Sequence, residues 1–274
     1  MNQRKTVTFS VIICCYNSED YLEESINSIA KQTISDWELV IINDGSTDST
    51  EKIIKSFIQK GLNINYIYQE NKGFACARNK ALEVANGEWI AILDHDDIAV
   101  PKRLEFQLNQ INKNPNSKLF FGDAKCFGSD IKEYLRFDIS KNIDKFDPCN
   151  LDLSKKNAYQ NLYKYGCFIV SSTATFNKIA AIEVGGFNQG YKFVADYDFF
   201  LKFALKFDFY CTKKIVSNWR AHSNQSTNQL RKELIQELRL IYFQAYRSDQ
   251  LNFSSKCKVL KNHLYSHLNY YRNN

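Results

Sequence analysis

The run Asp94-His95-Asp96-Asp97 places three carboxylates and an imidazole next to one another. Like charges about 4 Å apart repel by roughly 4 kcal/mol at an effective dielectric constant near 20, so protonation, a basic partner or a divalent cation must offset them. Carboxylate-rich sites suit hard ions such as Mg²⁺ and Mn²⁺, which commonly bridge to the phosphates of a substrate. The run therefore predicts a divalent-cation and phosphate site. The alternative is a solvated acidic loop ahead of Pro101.

The residues that precede this run alternate between strand and helix patterns. Short apolar and β-branched runs predict buried strands at Phe9–Cys15, Trp37–Ile42, Ile64–Tyr68 and Trp89–Leu93. Apolar residues at helical spacing fill the intervals, and the last interval holds a predicted helix at Phe74–Val84. Strands that alternate with helices indicate a parallel sheet covered on both faces, so the predicted fold class is α/β.

The ends of these predicted strands carry further polar candidates. In open parallel sheets, ligands bind beyond the carboxyl ends of the strands. The residues found there are Tyr16 and Asn17, Asn43 and Asp44, Asn71 and Lys72, and the acidic run 94–97. Because these ends meet at one edge of the sheet, we expect the clusters to form one site.

The composition is that of an ordinary globular protein. The chain has 274 residues, of which 44% are hydrophobic and 24% charged, and this excludes disordered and collagen-like classes. The longest apolar stretches fall short of the ~20 residues that span a bilayer, and the start lacks a signal-peptide hydrophobic region. We therefore expect a cytoplasmic protein whose eight cysteines are small buried residues, with neither a disulfide framework nor a zinc site.

The net charge of +6 is concentrated at one end of the chain. Residues 229–274 hold eight Lys and Arg against three Asp and Glu, a net charge of +5. The remaining chain is nearly neutral, which argues against nucleic acid as a partner. Apolar residues recur at helical spacing in this segment at Leu234, Leu238, Ile241 and Ala245. The segment predicts a basic amphipathic helical extension that rests on the anionic inner face of the membrane. The alternatives are a solvated helix or an oligomer contact.

The sequence resembles glycosyltransferase family 2 at six ordered elements, which are VIICCYN, IINDGSTDST, NKGFACARNKAL, ILDHDD, GGFNQGYKFVADYDFFLKFA and WRAH. The resemblance covers roughly residues 8–225 and implies the GT-A fold, a mainly parallel Rossmann-like sheet with flanking helices. We expect a catalytic domain at 1–228, with a nucleotide-binding half at 1–100 and an acceptor-binding half at 101–228. The helical extension 229–274 follows it.

The resemblance also implies roles for individual residues. Tyr16 flanks the nucleotide base, Asp44 accepts hydrogen bonds from it, and Arg78 pairs with the nucleotide. The complete set expected to bind the nucleotide sugar is Cys14, Tyr16, Asn17, Asp44, Arg78, Asp94 and His95. The set expected to hold Mn²⁺ or Mg²⁺ is Asp94, Asp96 and His222. A neutral imidazole is a reasonable ligand for Mn²⁺.

Asp196 resembles the general base that deprotonates the acceptor hydroxyl, and Asp198 is the competing candidate. Two residues depart from the usual family pattern: Cys14 stands where proline is common, and Ala195 replaces an acidic residue that often precedes the base.

The predicted activity is that of an inverting, metal-dependent hexosyltransferase. It moves a sugar from a UDP-linked donor to a hydroxyl of a glycan or lipid-linked acceptor, in bacterial surface polysaccharide or glycoconjugate synthesis. One alternative is a donor-binding module that has lost catalysis. Another is a sugar-nucleotide pyrophosphorylase, although the first strand leads into Cys-Cys-Tyr-Asn where such an enzyme has a Gly-rich phosphate loop.

Overall fold

The computed structural model describes residues 7–129, 131–141, 146–223, 225, 231–247, 249–257 and 260. The strands of this part are β1 (Phe9–Cys15), β2 (Trp37–Asp44), β3 (Ile64–Gln69), β4 (Trp89–Ile92), β5 (Ile98–Ala99), β6 (Ser117–Phe127), β7 (Tyr134–Leu135), β8 (Thr175–Asn177) and β9 (Asp208–Arg220). The α-helices are α1 (Leu22–Ala30), α2 (Thr50–Gln59), α3 (Phe74–Val84), α4 (Arg103–Lys113), α5 (Arg136–Ile139), α6 (Asn157–Tyr165), α7 (Lys178–Glu183), α8 (Ala195–Ala204) and α9 (Arg231–Arg247).

One mixed sheet organises the described residues. Its strand order is β3-β2-β1-β4-β8-β6-β9-β5, with β7 paired to β6. The strands β1 to β4 are parallel, as predicted, and their carboxyl ends lie at one edge. The later strands add an antiparallel part, because β8 runs opposite to β4 and β6. The predicted bounds of the first four strands are confirmed to within two residues.

Apolar cores cover the sheet on both faces. Along β1, the side chains of Val11 and Ile13 join the core that includes α1, α2 and α4, whereas Ile12 and Cys14 join the core that includes α3, α6 and α8. This alternation follows from the two-residue period of a strand. Each fully buried aliphatic or aromatic side chain contributes about 1.5–3 kcal/mol, so the parallel strands are held from both sides.

The predicted state of the cysteines is wrong at one pair. Cys149 and Cys211 form a disulfide that joins the 3-10 turn Pro148–Asn150 to β9. These residues are separated by 62 positions, and the fold brings their Cα atoms to 5.0 Å. The spacing of the cysteines in the sequence therefore did not predict the disulfide. Burial holds for Cys14, Cys15 and Cys126, while Cys76 and Cys167 are half-buried and Cys257 is exposed.

The C-terminal region is helical, as predicted, in its described segment Arg231–Arg247. Ile241, Tyr242 and Ala245 of α9 are buried in the same core as α8. The side chain of Glu237 accepts hydrogen bonds from the backbone N–H groups of residues 192–194, just before α8. The domain boundary at residue 228 stays a prediction, and residues 226–230 and 261–274 lie outside the described part. Within that part, no helix combines the length and hydropathy needed to cross a bilayer.

Candidate active site

The acidic run forms a tight turn after β4, which we call the carboxylate turn (residues 94–97). The backbone N–H of Asp97 donates to the carbonyl of Asp94 at 3.1 Å. From one side the backbone N–H of Asp94 donates to the Ser172 hydroxyl oxygen at 2.9 Å. From the other side Arg220 Nε donates to the Asp96 carbonyl at 2.8 Å. The turn is therefore fixed to both neighbouring segments.

Asp96 and His222 meet at this turn. The distance from Asp96 Oδ2 to His222 Nε2 is 2.9 Å, and each side chain is 14% exposed. The His222 ring also packs beside Tyr21, with the ring centroids 4.9 Å apart. An oxygen and a nitrogen ligand are thus brought together by segments that are 126 positions apart in the chain.

Asp94 is paired with Arg78 of α3. Arg78 Nη2 donates to Asp94 Oδ1 at 2.8 Å, and the guanidinium lies over the ring of Phe74 at 3.8 Å from its centroid. Arg78 is 1% exposed. Burial raises the pKa of Asp94, and the positive charge of Arg78 opposes this shift. The ion pair holds one carboxylate of the turn against α3.

The Asp97 side chain points into the protein and supports the turn from below. Its carboxylate is fully buried and accepts a hydrogen bond from the backbone N–H of Arg220 at 2.8 Å. Burial raises the pKa of Asp97 well above its ordinary value. The buried guanidinium of Arg103 lies below, donates to the carbonyl of Ile92 at 2.8 Å, and has its pKa lowered by burial to about 10. The negative charge of Asp97 opposes this lowering, so the two buried groups interact electrostatically beneath the turn.

The other residues predicted to bind nucleotide sit at the neighbouring strand ends. The Asp44 carboxylate accepts hydrogen bonds from the backbone N–H groups of Lys72 and Gly73, both at 2.9 Å. It therefore anchors the loop that precedes α3 and Arg78. Tyr16 is 49% exposed at the end of β1. Asn17, at φ 46°, accepts a hydrogen bond from the Thr47 backbone through its side-chain oxygen. Contact of these residues with a nucleotide stays a prediction.

Cys14 and His95 differ in accessibility. Cys14 is 8% exposed and belongs to the core, and burial raises the pKa of its thiol to about 12. His95 is half-buried in the carboxylate turn, where its backbone carbonyl accepts a hydrogen bond from the Ser25 hydroxyl at 2.8 Å. The structure thus places Cys14 below the site and His95 within it.

Asp196, at the start of α8, acts electrostatically on the carboxylate turn. It lies in the first turn of α8, and its Oδ2 accepts a hydrogen bond from the Ser171 hydroxyl at 2.7 Å. Its negative charge acts on Asp94, whose pKa it helps to raise. Asp198 instead forms an ion pair with Lys202 at 3.0 Å. Asp198 thus has a basic partner on its own helix, whereas the Asp196 charge acts on Asp94.

The residues described above form no group of three or more His, Cys, Asp or Glu side chains already arranged to hold a metal ion. Asp96 and His222 are preassembled, whereas Asp94 is turned toward Arg78. A Mg²⁺ or Mn²⁺ ion commonly uses one or two carboxylates and completes its shell with water and substrate phosphates. The pair fits such an ion, and the three-residue ligand set stays a prediction.

Several residues that build this site were not found by sequence reasoning. Ser171 and Ser172 sit in an unremarkable SSTAT stretch, and Arg103 reads as an ordinary helix residue. Glu237 reads as one charge of an amphipathic helix. Arg220 lies inside the WRAH element, so the family resemblance marked its position, but it did not predict which residues Arg220 contacts.

Comparisons with known proteins agree with this geometry. The family model "Glycosyl transferase family 2" matches residues 10–184, more than half of the chain. An uncharacterized glycosyltransferase of Rickettsia typhi is 32% identical over 219 residues, which are 80% of this chain and 65% of that protein. The putative teichuronic acid biosynthesis glycosyltransferase TuaG of Bacillus subtilis is 35% identical over 162 residues, 59% of this chain and 60% of its own. The chain spans less than two thirds of these relatives.

A solved structure shows the same fold. The crystal structure of S. aureus TarS 1–349 in complex with UDP-GlcNAc aligns with a TM-score of 0.71 at 23% identity, over 97% of this chain and 74% of that one. The predicted GT-A fold, with a curled and mostly parallel sheet, is confirmed. Both relatives described above, with which the chain aligns, are named glycosyltransferases. The chain belongs to glycosyltransferase family 2.

Proposed function

We propose that the chain moves a hexosyl group from a nucleotide-diphosphate sugar to a hydroxyl of a glycan or lipid-linked acceptor, with inversion at the anomeric carbon. The observation that carries the proposal is that a candidate metal-binding pair and a candidate base lie close to the same turn. Asp96 and His222 lie 2.9 Å apart at the carboxylate turn. Asp196 of α8 is hydrogen-bonded to Ser171, whose neighbour Ser172 contacts Asp94 of that turn. The Asp96–His222 pair suits a metal-bound diphosphate, and the Asp196 carboxylate suits an acceptor hydroxyl.

The donor side of the proposal uses charge. Asp96 and His222 would hold Mn²⁺ or Mg²⁺ together with the diphosphate, and the bound ion supplies Lewis-acid stabilisation of the negative charge on the departing diphosphate. Arg78 keeps Asp94 paired and oriented at the edge of the same site. Tyr16, Asn17, Asp44 and His95 would bind the nucleoside and ribose, whereas Cys14 lies below them in the core.

The acceptor side uses Asp196 as the base. The acceptor oxygen attacks the anomeric carbon while the bond from that carbon to the β-phosphate oxygen breaks, and the hydroxyl proton passes to the Asp196 carboxylate. A single displacement from the face opposite to the leaving group inverts the configuration. Asp198 is the weaker candidate because Lys202 is its ion-pair partner.

The relatives support a narrower donor and acceptor class. TarS was crystallised with UDP-GlcNAc, and TuaG is named for teichuronic acid biosynthesis. We extend these to a UDP-linked donor and an acceptor of a bacterial surface polysaccharide or glycoconjugate. Because the chain spans only part of its curated relatives, this extension concerns the transfer step alone.

A membrane contact through the C-terminal helix belongs to the same proposal and would place the enzyme at the inner face of the cytoplasmic membrane. The α9 side chains Leu240, Phe243 and Tyr246 are each about half exposed, and the Arg247 guanidinium lies 5.7 Å from the Phe243 ring centroid. Aromatic and basic groups on one helix suit anionic lipid. Flotation with anionic liposomes at low salt tests the contact, with F243S/Y246S expected to lose binding. Wild-type protein that stays unbound would reject it.

A donor panel tests the activity. Purified protein is incubated with UDP- and GDP-sugars, with and without EDTA, and released nucleotide is measured. We expect release from one UDP-sugar that EDTA abolishes and that Asp96→Ala lowers by about a thousandfold, since the variant loses a ligand of the ion that would offset the diphosphate charge. The control Asp249→Ala removes an exposed carboxylate and should match the wild type. Donor binding without turnover, unchanged by Asp196→Asn, would instead indicate a binding module.

A further inference from the structure

A short 3-10 turn, Ser171–Thr173, lies between the carboxylate turn and α8. Its first two residues each hold a different side of the site. The Ser171 hydroxyl donates to Asp196 Oδ2 at 2.7 Å, and the Ser172 hydroxyl makes its 2.9 Å hydrogen bond with the Asp94 amide. Both serines are buried. Adjacent residues therefore connect the proposed base to the proposed diphosphate site.

The turn is fixed to the sheet, so it can transmit position. The backbone N–H of Ile92, the last residue of β4, donates to the carbonyl of Ala174 at 3.1 Å. The Thr173 hydroxyl makes a local hydrogen bond to the carbonyl of Val170, three residues earlier, and does not attach the turn to the sheet. On the far side, the Gln107 side chain of α4 donates to the Thr173 carbonyl at 3.1 Å. The turn thus moves with β4 and with the carboxylate turn that follows β4.

The Asp196 carboxylate is held at both oxygens. Oδ2 receives the Ser171 hydroxyl, and Oδ1 receives the backbone N–H of Tyr197 at 2.8 Å. The second contact lies within α8 itself, so it fixes the side chain only relative to its own helix. The first contact is the one that ties the carboxylate to the segment carrying the donor side.

We propose that Ser171 is a positioning residue for transfer: it orients the Asp196 carboxylate relative to the carboxylate turn, while Ser172 positions the turn itself. The inference rests on the proposed function, because it takes Asp196 as the base. A base displaced by about 1 Å loses on the order of a hundredfold in rate, since the reacting atoms must lie near 3–3.5 Å. The two serines should therefore affect different kinetic constants.

The experiment compares three single-hydroxyl deletions in one turn. Ser171→Ala is expected to lower kcat for transfer by about ten- to a hundredfold and leave the donor KM within about twofold. Ser172→Ala is expected to raise the donor KM more than it lowers kcat. Thr173→Ala is the matched control, because it removes a buried hydroxyl of the same turn that donates to Val170 and not to a carboxylate. We expect its kcat within about twofold of the wild type.

Thermal unfolding of each variant separates positioning from damage to the fold. If Ser171→Ala unfolds below the assay temperature, Ser171→Thr is measured in its place, because it keeps a donor hydroxyl. A kcat close to that of the wild type in Ser171→Thr supports the inference. An equal loss of kcat in Ser171→Ala and Thr173→Ala, or a raised donor KM with unchanged kcat in Ser171→Ala, would overturn it.

Asp196→Asn is measured in parallel so that the two proposals can fail separately. If Asp196→Asn retains kcat, the assignment of the base is wrong and the inference falls with it. If Asp196→Asn abolishes transfer while Ser171→Ala keeps the wild-type kcat, only the role of Ser171 is wrong.

Discussion

The two sides of the site are built in different ways. On the β4 side, the carboxylate turn follows directly from a buried strand, and Asp94 finds Arg78 only 16 positions away. On the α8 side, Asp196 is held by Ser171, 25 positions earlier, and its loop is held by Glu237, more than 40 positions later. The acidic run and its Arg78 partner are therefore local in sequence, whereas His222 and the contacts of the α8 side come from distant segments. Candidate functional residues are thus easier to predict from the sequence at the strand ends than at α8.

The largest expected effect separates the two sides. Asp196→Asn replaces the carboxylate with an amide of the same shape that does not accept the hydroxyl proton, so we expect transfer to fall by about a thousandfold. Nucleotide binding depends on the other side and should stay within about twofold of the wild type. Calorimetry with UDP and released-nucleotide assays measure the two properties. Asp198→Asn is the matched control, and a larger loss there would exchange the roles of the two aspartates.

The next effect is confined to the β4 side. His222→Ala removes the nitrogen that lies 2.9 Å from Asp96 Oδ2, so we expect Mn²⁺ to bind about ten- to a hundredfold more weakly. Electron paramagnetic resonance of free Mn²⁺ measures the affinity without any turnover. His95→Ala is the matched histidine control, with a smaller expected change. Equal affinities in the wild type and His222→Ala would remove His222 from the ligand set.

The same contrast explains what the sequence could predict. The bounds of β1 to β4 and the edge that carries Tyr16, Asp44 and the carboxylate turn follow from local periodicity and strand topology. Asp96 and His222 were named together only because the family resemblance linked WRAH to the acidic run. No local pattern marks Ser171 or the Cys149–Cys211 disulfide, because those contacts depend on how distant segments pack.

A smaller effect tests the long-range assembly of the α8 side. Glu237→Ala removes the acceptor of the backbone N–H groups of Lys192, Phe193 and Val194, at distances of 2.8, 2.9 and 3.1 Å. Water can replace part of this because Lys192 is exposed, so we expect the free energy of unfolding to fall by about 1–2 kcal/mol.

Urea denaturation measures this change, and Glu233→Ala is the control on the same helix, one turn earlier and exposed. If Glu237→Ala lowers kcat several-fold more than it lowers nucleotide affinity, α9 belongs functionally to the α8 side. Equal stability of the two variants would show that the loop before α8 needs no anchor from α9.

The smallest effect concerns pH and a carboxyl group that lies away from the site. Asp123 of β6 is buried, and its Oδ1 accepts hydrogen bonds from the backbone N–H groups of Ala124 and Phe137 at 2.8 and 2.9 Å. Burial raises the pKa of Asp123 above its ordinary value of 3.8, and these hydrogen bonds oppose the shift. Nearby Asp138 adds to the increase and Lys141 counteracts it.

A raised pKa in the folded state means that the folded protein binds more protons than the unfolded chain at pH values just above 3.8. Its stability therefore falls as the pH rises through that window. Asp123→Asn keeps an acceptor for both N–H groups and does not ionise, so it lacks this loss. We expect its free energy of unfolding, relative to the wild type, to increase between pH 4 and pH 7 in urea titrations. A difference that stays constant with pH would mean that water reaches the Asp123 carboxylate in the folded protein. The packing between β6 and α5 would then be looser than the hydrogen bonds of Asp123 imply.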